Sequence, residues 1–445
     1  MPPEENLTAT GDAHAAAQEI FRYAIDATRV AAAMERRIRL DAGLLLVDEH
    51  RYHLSSYQRV LLIAVGKAAG SMTAALLRLA GDEASKIAGV VAGVVTEQLP
   101  ERFQIIRGGH PSPNQASLDA ATAILRLLHG ATERDLVIFL VSGGGSSLVE
   151  QLLRPGLTLD ETAATHKALV ECGAPIAAIN AVRKHLSAVK GGRLAAAAAP
   201  AEQLTIFVSD VPAGELDALA SGPTLPDRST VEDVRRIVAE YGLAERVPKA
   251  VREMLIDPVM AETPKAGDAV FKRSQWMVLL DNATLEIAAS IRARELGWNV
   301  TIDHSCDDWS AEDAVKYLLG RLEQLRREST RVCLISGGEV TVRVPAGATG
   351  SGGRNQHFVL LCAQRIAGSN LVVLSAGSDG VDGTSPAAGG LVDGKTMARA
   401  ATAGIPLEQA LAEFNSYGLL SMLGDAIVIG PTGNNLRDLR ILLAP

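Results

Sequence analysis

Aromatic residues are scarce in this 445-residue chain, at 4% of the whole. That scarcity argues against an aromatic-rich β-sandwich. Cysteine is equally sparse: Cys172, Cys306, Cys333 and Cys362 stand far apart, which fits neither a CxxC metal site nor a disulfide framework. They read as buried structural thiols. There is no excess of positive charge. Lys and Arg total 43 against 51 Asp and Glu, a net charge of −8, so a nucleic-acid backbone finds nothing to hold. Long hydrophobic runs are missing too, because the stretches 61–65 and 136–141 are strand-sized and far below the ~20 residues that span a bilayer. The opening MPPEENLTATG has neither the basic nor the apolar region of a secretory signal, so the chain is expected to stay in the cytoplasm, away from membranes.

What the chain has is apolar content and glycine. With 47% hydrophobic residues it is long enough for two or three domains with sizeable cores. Its 41 glycines point to many tight strand-to-helix turns. The spacing of Ile20, Ala24, Ala27, Ala31, Met34 and Ile38 predicts an amphipathic helix over 13–38. Strand and helix patterns then alternate. Apolar runs at 60–65, 87–95, 136–141, 204–209, 276–281, 298–302, 332–336 and 371–377 are separated by helical stretches. Continuous apolar strands between helices argue for parallel sheets covered on both faces, hence an α/β fold. The polar, Pro-bearing stretch 257–274 marks a boundary. It divides the chain into domains at 1–270 and 275–445.

The glycines gather at strand ends. Ser142, Gly143, Gly144, Gly145, Ser146 and Ser147 follow a buried strand and precede a Leu-bearing helix. Such a turn is either a plain tight turn or a nest of backbone N–H groups, at a helix N-terminus, for phosphate or carboxylate. It is not a dinucleotide fingerprint, since Leu148 occupies the place of the last glycine of GxGxxG. Gly66-Lys67 is not a Walker loop either: the first glycine is missing and Ala68 replaces the hydroxyl that would hold Mg²⁺. Lys67 still sits at the carboxyl edge of a strand, where parallel sheets bind ligands. It reads as a surface lysine or as a cation facing a transferring phosphoryl group. His110, in the Gly- and Pro-rich turn 107–113, is either structural or in touch with substrate. The basic run 180–193, with Arg183, is a solvated helix face or an anion trap. Asp210 closes another strand and could serve as base or metal ligand. Arg354, beside glycines at a helix start, is placed to grip phosphate oxygens in a two-pronged way. Asp379 and Asp382 lie on a turn that uses them for its conformation or for Mg²⁺.

In this order, the motifs VGKAAGSM (65–72), GGHPSP (108–113), SGGGSS (142–147), NAVRKHLSAVKGGRLA (180–195), SDVPAGELDALASGPTLPDRST (209–230), ISGGEVTV (335–342), GGRNQ (352–356), AGSDGVDGTSPAAG (376–389) and GPTGNN (430–435) resemble the class II glycerate kinase family, whose C-terminal part carries a MOFRL domain. The resemblance spans almost the whole chain. It implies a Rossmann-like, doubly wound first domain and a smaller MOFRL-type α/β second domain, with the active site in a cleft between them. It implies ATP- and Mg²⁺-dependent phosphorylation of D-glycerate at the 2-hydroxyl, with Lys67 and Arg354 at the active site. The sequence departs from the family at His357, a position often acidic in relatives.

The expected mechanism places nucleotide phosphates on the 142–147 turn and glycerate against Lys67, Arg183 and His110, with Arg354 neutralising the transferring phosphoryl group. Asp210 is the expected proton acceptor, and Asp379 and Asp382 the Mg²⁺ ligands. Phosphoryl transfer asks mostly for positioning and charge stabilisation, which such turns and cations supply. Two rival readings remain: a hydroxypyruvate reductase, against which the missing GxGxxG counts, and a non-catalytic sugar-acid binding protein.

Overall fold

The computed structural model describes residues 4–345 and 347–445, with side chains from residue 12 onward. It separates into two compact units. The N-terminal unit is Val30–Leu279; the C-terminal unit joins Leu280–Pro445 to the chain through Arg29. The division therefore differs from 1–270 and 275–445. The polar stretch 257–274 is packed within the N-terminal unit: Thr263 is buried with its hydroxyl on Asp227, and Arg273 accepts a backbone bond from Gln203. The expected helix over 13–38 is broken likewise, into Glu4–Ala27 and Val30–Arg37. At the break, Thr28 turns its hydroxyl back onto the Ala24 carbonyl at 2.8 Å. Its own carbonyl accepts from Asn434 at 3.0 Å. A residue that satisfies its polar groups in this way offers the backbone an alternative to the next helical turn.

The N-terminal unit opens with an antiparallel meander of β1 (Ile38–Asp41), β2 (Leu44–Val47) and β3 (His50–His53), which the apolar runs did not announce. Its main sheet contains β4 (Arg59–Gly66), β5 (Ile87–Gly93), β6 (Phe103–Ile106), β7 (Asp135–Ser142), β8 (Glu202–Val208) and β9 (Ser274–Leu280), in the order β6-β5-β4-β7-β8-β9. The pairs β4–β5, β4–β7, β5–β6 and β7–β8 are parallel. Leu61, Ile63 and Val65 pack with Ala120, Ala121 and Ile124 of the helix Gln115–Leu128. The alternate residues Leu62, Ala64, Ile138 and Leu140 are fully buried as well, so both faces are covered, as a run of apolar strand residues demands. A second apolar cluster holds the helices Leu159–Glu171, Ile176–Leu186, Val231–Glu240 and Lys249–Leu255 together.

The sheet of the C-terminal unit corrects the expectation of parallel strands. It contains β10 (Asn299–Ile302), β11 (Val332–Gly337), β12 (Val372–Gly377), β13 (Gly389–Asp393), β14 (Ala426–Ile427) and β15 (Asp438–Ala444), in the order β10-β11-β15-β12-β13-β14. Only β10–β11 is parallel among these pairs. The last strand runs antiparallel between β11 and β12, so the segment after Leu420 completes this unit. No helix among the described residues is long and apolar enough to cross a membrane.

Candidate active site

The site of the N-terminal unit grows from the carboxyl ends of two neighbouring parallel strands. Gly66 ends β4 with φ +122, a conformation that favours glycine. A methyl group there would stand 2.2 Å from the Ser142 hydroxyl, so only hydrogen fits. The two strand ends are stitched across this gap: Lys67 donates its backbone N–H to Gly143 at 2.9 Å, and Ala68 donates to the Ser142 hydroxyl at 3.0 Å. The chain then turns through Gly143 and Gly144 into Gly145–Leu148, a helix of a single turn. Its shortness corrects the expected helix-dipole contribution, because so few aligned peptides sum to little. Charge at this turn comes from side chains.

Three side chains meet there. A Cβ at Gly144 would lie 3.2 Å from Lys67 Cγ and 3.5 Å from His110 Cε1, so lysine and histidine flank the same bare Cα. A Cβ at Gly143 would lie 1.8 Å from Asp210 Oδ2, so that carboxylate rests against the turn. His110 Nδ1 is 3.0 Å from the Ser147 hydroxyl. Burial and then the charge of Lys67 push the His110 pKa below the ordinary imidazole range. Ser146 is tied to Ser221 at 2.8 Å. Ala220, Ser221 and Gly222 are three successive residues with φ between 50 and 60. Non-glycine residues held there store strain, which the surrounding contacts must over-determine.

Within the basic run 180–193, Lys184 and Lys190 are buried in ion pairs and not part of a solvated face. Lys184 is buried and paired with Asp217 at 2.8 Å and Asp227 at 3.2 Å. Lys190 is buried against Glu150, which also binds His166 at 2.7 Å and Ser187 at 3.0 Å. Burial raises the Glu150 pKa, but Lys190 and His166 outweigh it and hold the group at about 2. Arg183 lies beside this cluster, partly buried, its Nε without a hydrogen-bond partner among the described residues. Lys190 is next to Gly191, which donates to the Ser221 carbonyl at 2.9 Å, so the cluster braces the loop that holds Ser146.

The C-terminal unit gathers the other expected residues around a cavity of about 720 Å³. Arg354 begins the helix Arg354–Ile366. Its Nε and Nη2 bind the two oxygens of buried Asp438 at 2.6 and 3.1 Å, and Nη2 also meets Glu339 at 2.8 Å. Burial alone would lower its pKa; the two carboxylates reverse the shift and keep the guanidinium charged. The two-pronged grip expected for phosphate is thus spent on Asp438. Asp382 is also committed. It accepts the backbone N–H of Asn355 at 3.1 Å and of Gln356 at 2.8 Å, one on each oxygen, and burial pushes its pKa up to about 6. These bonds cap the start of the helix Arg354–Ile366. Asp379 lines the same cavity and accepts from Val381. No three His, Cys, Asp or Glu side chains converge on a metal-sized site among the described residues. Ser221, Glu150, Glu339 and Asp438 were not singled out by sequence reasoning. Ser221 and Glu339 at least lie within glycine-bearing motifs, whereas nothing near Asp438 marks it.

Comparison with known proteins follows the same division. A family model described as a domain of unknown function, DUF4147, matches residues 16–256, and the MOFRL family model matches 332–438. A D-glycerate 2-kinase from Thermotoga maritima is 36% identical over 86% of this chain and 90% of its own. A protein from Agrobacterium vitis named putative hydroxypyruvate reductase is also 36% identical, over 86% of this chain and 87% of its own. The crystal structure of glycerate kinase from Thermotoga maritima superposes with a TM-score of 0.84 at 34% identity, covering 97% of this chain and 99% of that one. On likeness of this extent, in sequence and in fold, the chain belongs to the glycerate 2-kinase family with a C-terminal MOFRL domain.

Proposed function

We propose that this protein transfers the γ-phosphoryl group of Mg-ATP to the 2-hydroxyl of D-glycerate, giving 2-phospho-D-glycerate and ADP. The observation that carries the reading is the turn at Gly143–Gly144, where bare backbone, Lys67, His110 and Asp210 meet at the ends of parallel strands. A phosphate chain fits such a place: the N–H groups of 142–147 meet its oxygens and Lys67 offsets the charge that develops on transfer. Glycerate is a small carboxylate, and Arg183 and His110 are the proposed contacts for it in this unit. In the C-terminal cavity, Asp438 and Glu339 hold Arg354 charged and use its Nε and Nη2, so Nη1 is the edge left for an anion. Asp379 is the carboxylate proposed to meet magnesium, which in kinases is held largely by the phosphates themselves. The relatives named glycerate kinases support the reaction class.

The test is direct. Purified protein with D-glycerate and Mg-ATP should release ADP and 2-phosphoglycerate in equal amounts. ADP release that ignores glycerate, or NADH oxidation on addition of hydroxypyruvate, would overturn the proposal in favour of a different activity.

A further inference from the structure

Two side chains at the Gly143–Gly144 turn are candidate proton acceptors, Asp210 and His110, and a hydrogen bond at Nδ1 sets the two ring nitrogens of His110 apart. Ser147 has one hydroxyl proton. Its oxygen lies 3.3 Å from the Gly144 carbonyl and 3.0 Å from His110 Nδ1. A carbonyl has no proton to give, so wherever that pair is hydrogen-bonded the serine is the donor. A serine that donates to Gly144 accepts from Nδ1. In that arrangement the neutral ring is the Nδ1–H tautomer, with its lone pair on Nε2. That nitrogen makes no hydrogen bond among the described residues, and His110 as a residue is exposed, so a substrate hydroxyl can reach it. Its Cε1, the carbon between the two nitrogens, and Lys67 flank the same glycine.

From this geometry we infer that His110, through Nε2, is the catalytic base that accepts the proton of the substrate hydroxyl, in place of the Asp210 expected from the sequence. The inference rests on the proposed kinase reaction. The O–H bond of the 2-hydroxyl breaks and its proton passes to Nε2. The freed pair forms the new O–P bond while the bond from the γ-phosphorus to the bridging oxygen breaks, its electrons leaving with ADP. The imidazolium then returns its proton to solvent. Ser147 and the Gly144 carbonyl form the chain that fixes which nitrogen is basic, the usual task of a third group behind a base.

The surroundings keep the base free. Lys67 is the charged group that acts on the ring, and together with burial it disfavours the imidazolium in the empty enzyme. Asp210 lies one residue away, under Gly143. Arg107, on the same loop as His110, is engaged with the Val95 carbonyl. A nucleotide phosphate beside Lys67 would offset the lysine charge and make Nε2 more basic in the ternary complex. The acid limb of kcat should therefore lie at higher pH than the titration of His110 in the free protein.

Three measurements on the full-length protein test this. Nitrogen-15 NMR of the histidine rings should show His110 neutral at pH 7 with the proton on Nδ1; a ring protonated on Nε2 would overturn the inference whatever the kinetics. His110→Gln should lower kcat roughly 10²-fold, change the KM for Mg-ATP little, and remove the acid limb of the pH profile, which Asp210→Asn should retain. If wild-type protein phosphorylates glycerate and the limb survives in His110→Gln but vanishes in Asp210→Asn, the proton belongs to Asp210 and this inference alone falls. Wild-type protein without glycerate-dependent ADP release would instead remove the kinase reading, and the role of His110 with it.

Discussion

Lys67 and Arg354 stand together in the family resemblance, yet their surroundings differ in a way that mutation should expose. The Lys67 side chain is exposed over a glycine turn, whereas Arg354 faces Asp438, a carboxylate with 1% of its side chain accessible. Lys67→Ala removes a charge that water already solvates. Activity should fall roughly 10²-fold or more in kcat/KM while the melting temperature barely moves. Arg354→Ala leaves Asp438 buried without its partner. Such a loss costs about 3 kcal/mol or more for a fully buried pair, and less here because Arg354 is itself about one-third exposed. Thermal denaturation of both variants beside steady-state kinetics separates the two cases. The residues that could be read from sequence were those next to glycines, where composition and turn chemistry coincide. Asp438, Glu150 and Lys190 could not be read, because a buried ion pair is a fact about two distant segments and leaves no local pattern.

At the opposite end of β4 and β7 from the glycine turn, the strands are clamped by charge. Arg59 and Asp135 are register partners; Arg59 binds both oxygens of Asp135 at 3.0 and 2.7 Å, and Thr132 adds its backbone N–H and hydroxyl. Arg59 and these bonds hold the Asp135 pKa down at about 2. Because the folded value lies below the unfolded one, the stabilisation is fully present above about pH 5. It is lost as pH falls through about 4 towards 2. Stability measured by urea titration should drop by about 1–2 kcal/mol over that window from this group, less than a fully buried pair would give because Arg59 is partly exposed. Asp135→Asn should flatten that part of the curve. In the N-terminal unit β4, β5, β7, β8 and β9 were legible in sequence to within a residue or two, since strands buried on both faces are unbroken apolar runs; the half-exposed edge strand β6 was not. The meander β1–β3 was not, because strands of four residues are too short to set a pattern.

In the molecule as a whole, the chain begins and ends in the same unit, and its last strand lies in the middle of a sheet. Removing residues 438–445 would strip β15 from between β11 and β12 and take Asp438 from Arg354. Hydrogen exchange on such a truncation should show protection lost across β11 and β12, with β4 and β7 protected as before. A truncation that left β11 protected would show that the unit does not need its central strand. The amino-acid sequence alone was enough to establish an α/β chain with glycine turns at its strand ends and, through the ordered motifs, its family. Alternating apolar runs and turn residues are local signals, and they survive without neighbours. The place of β15 could come only from the folded chain. Its Arg440, fully buried, donates to the carbonyls of Gly337 and Gly338, partners a hundred residues away. A charged residue reads as surface until the acceptors that permit its burial are brought to it, and that is done by tertiary packing.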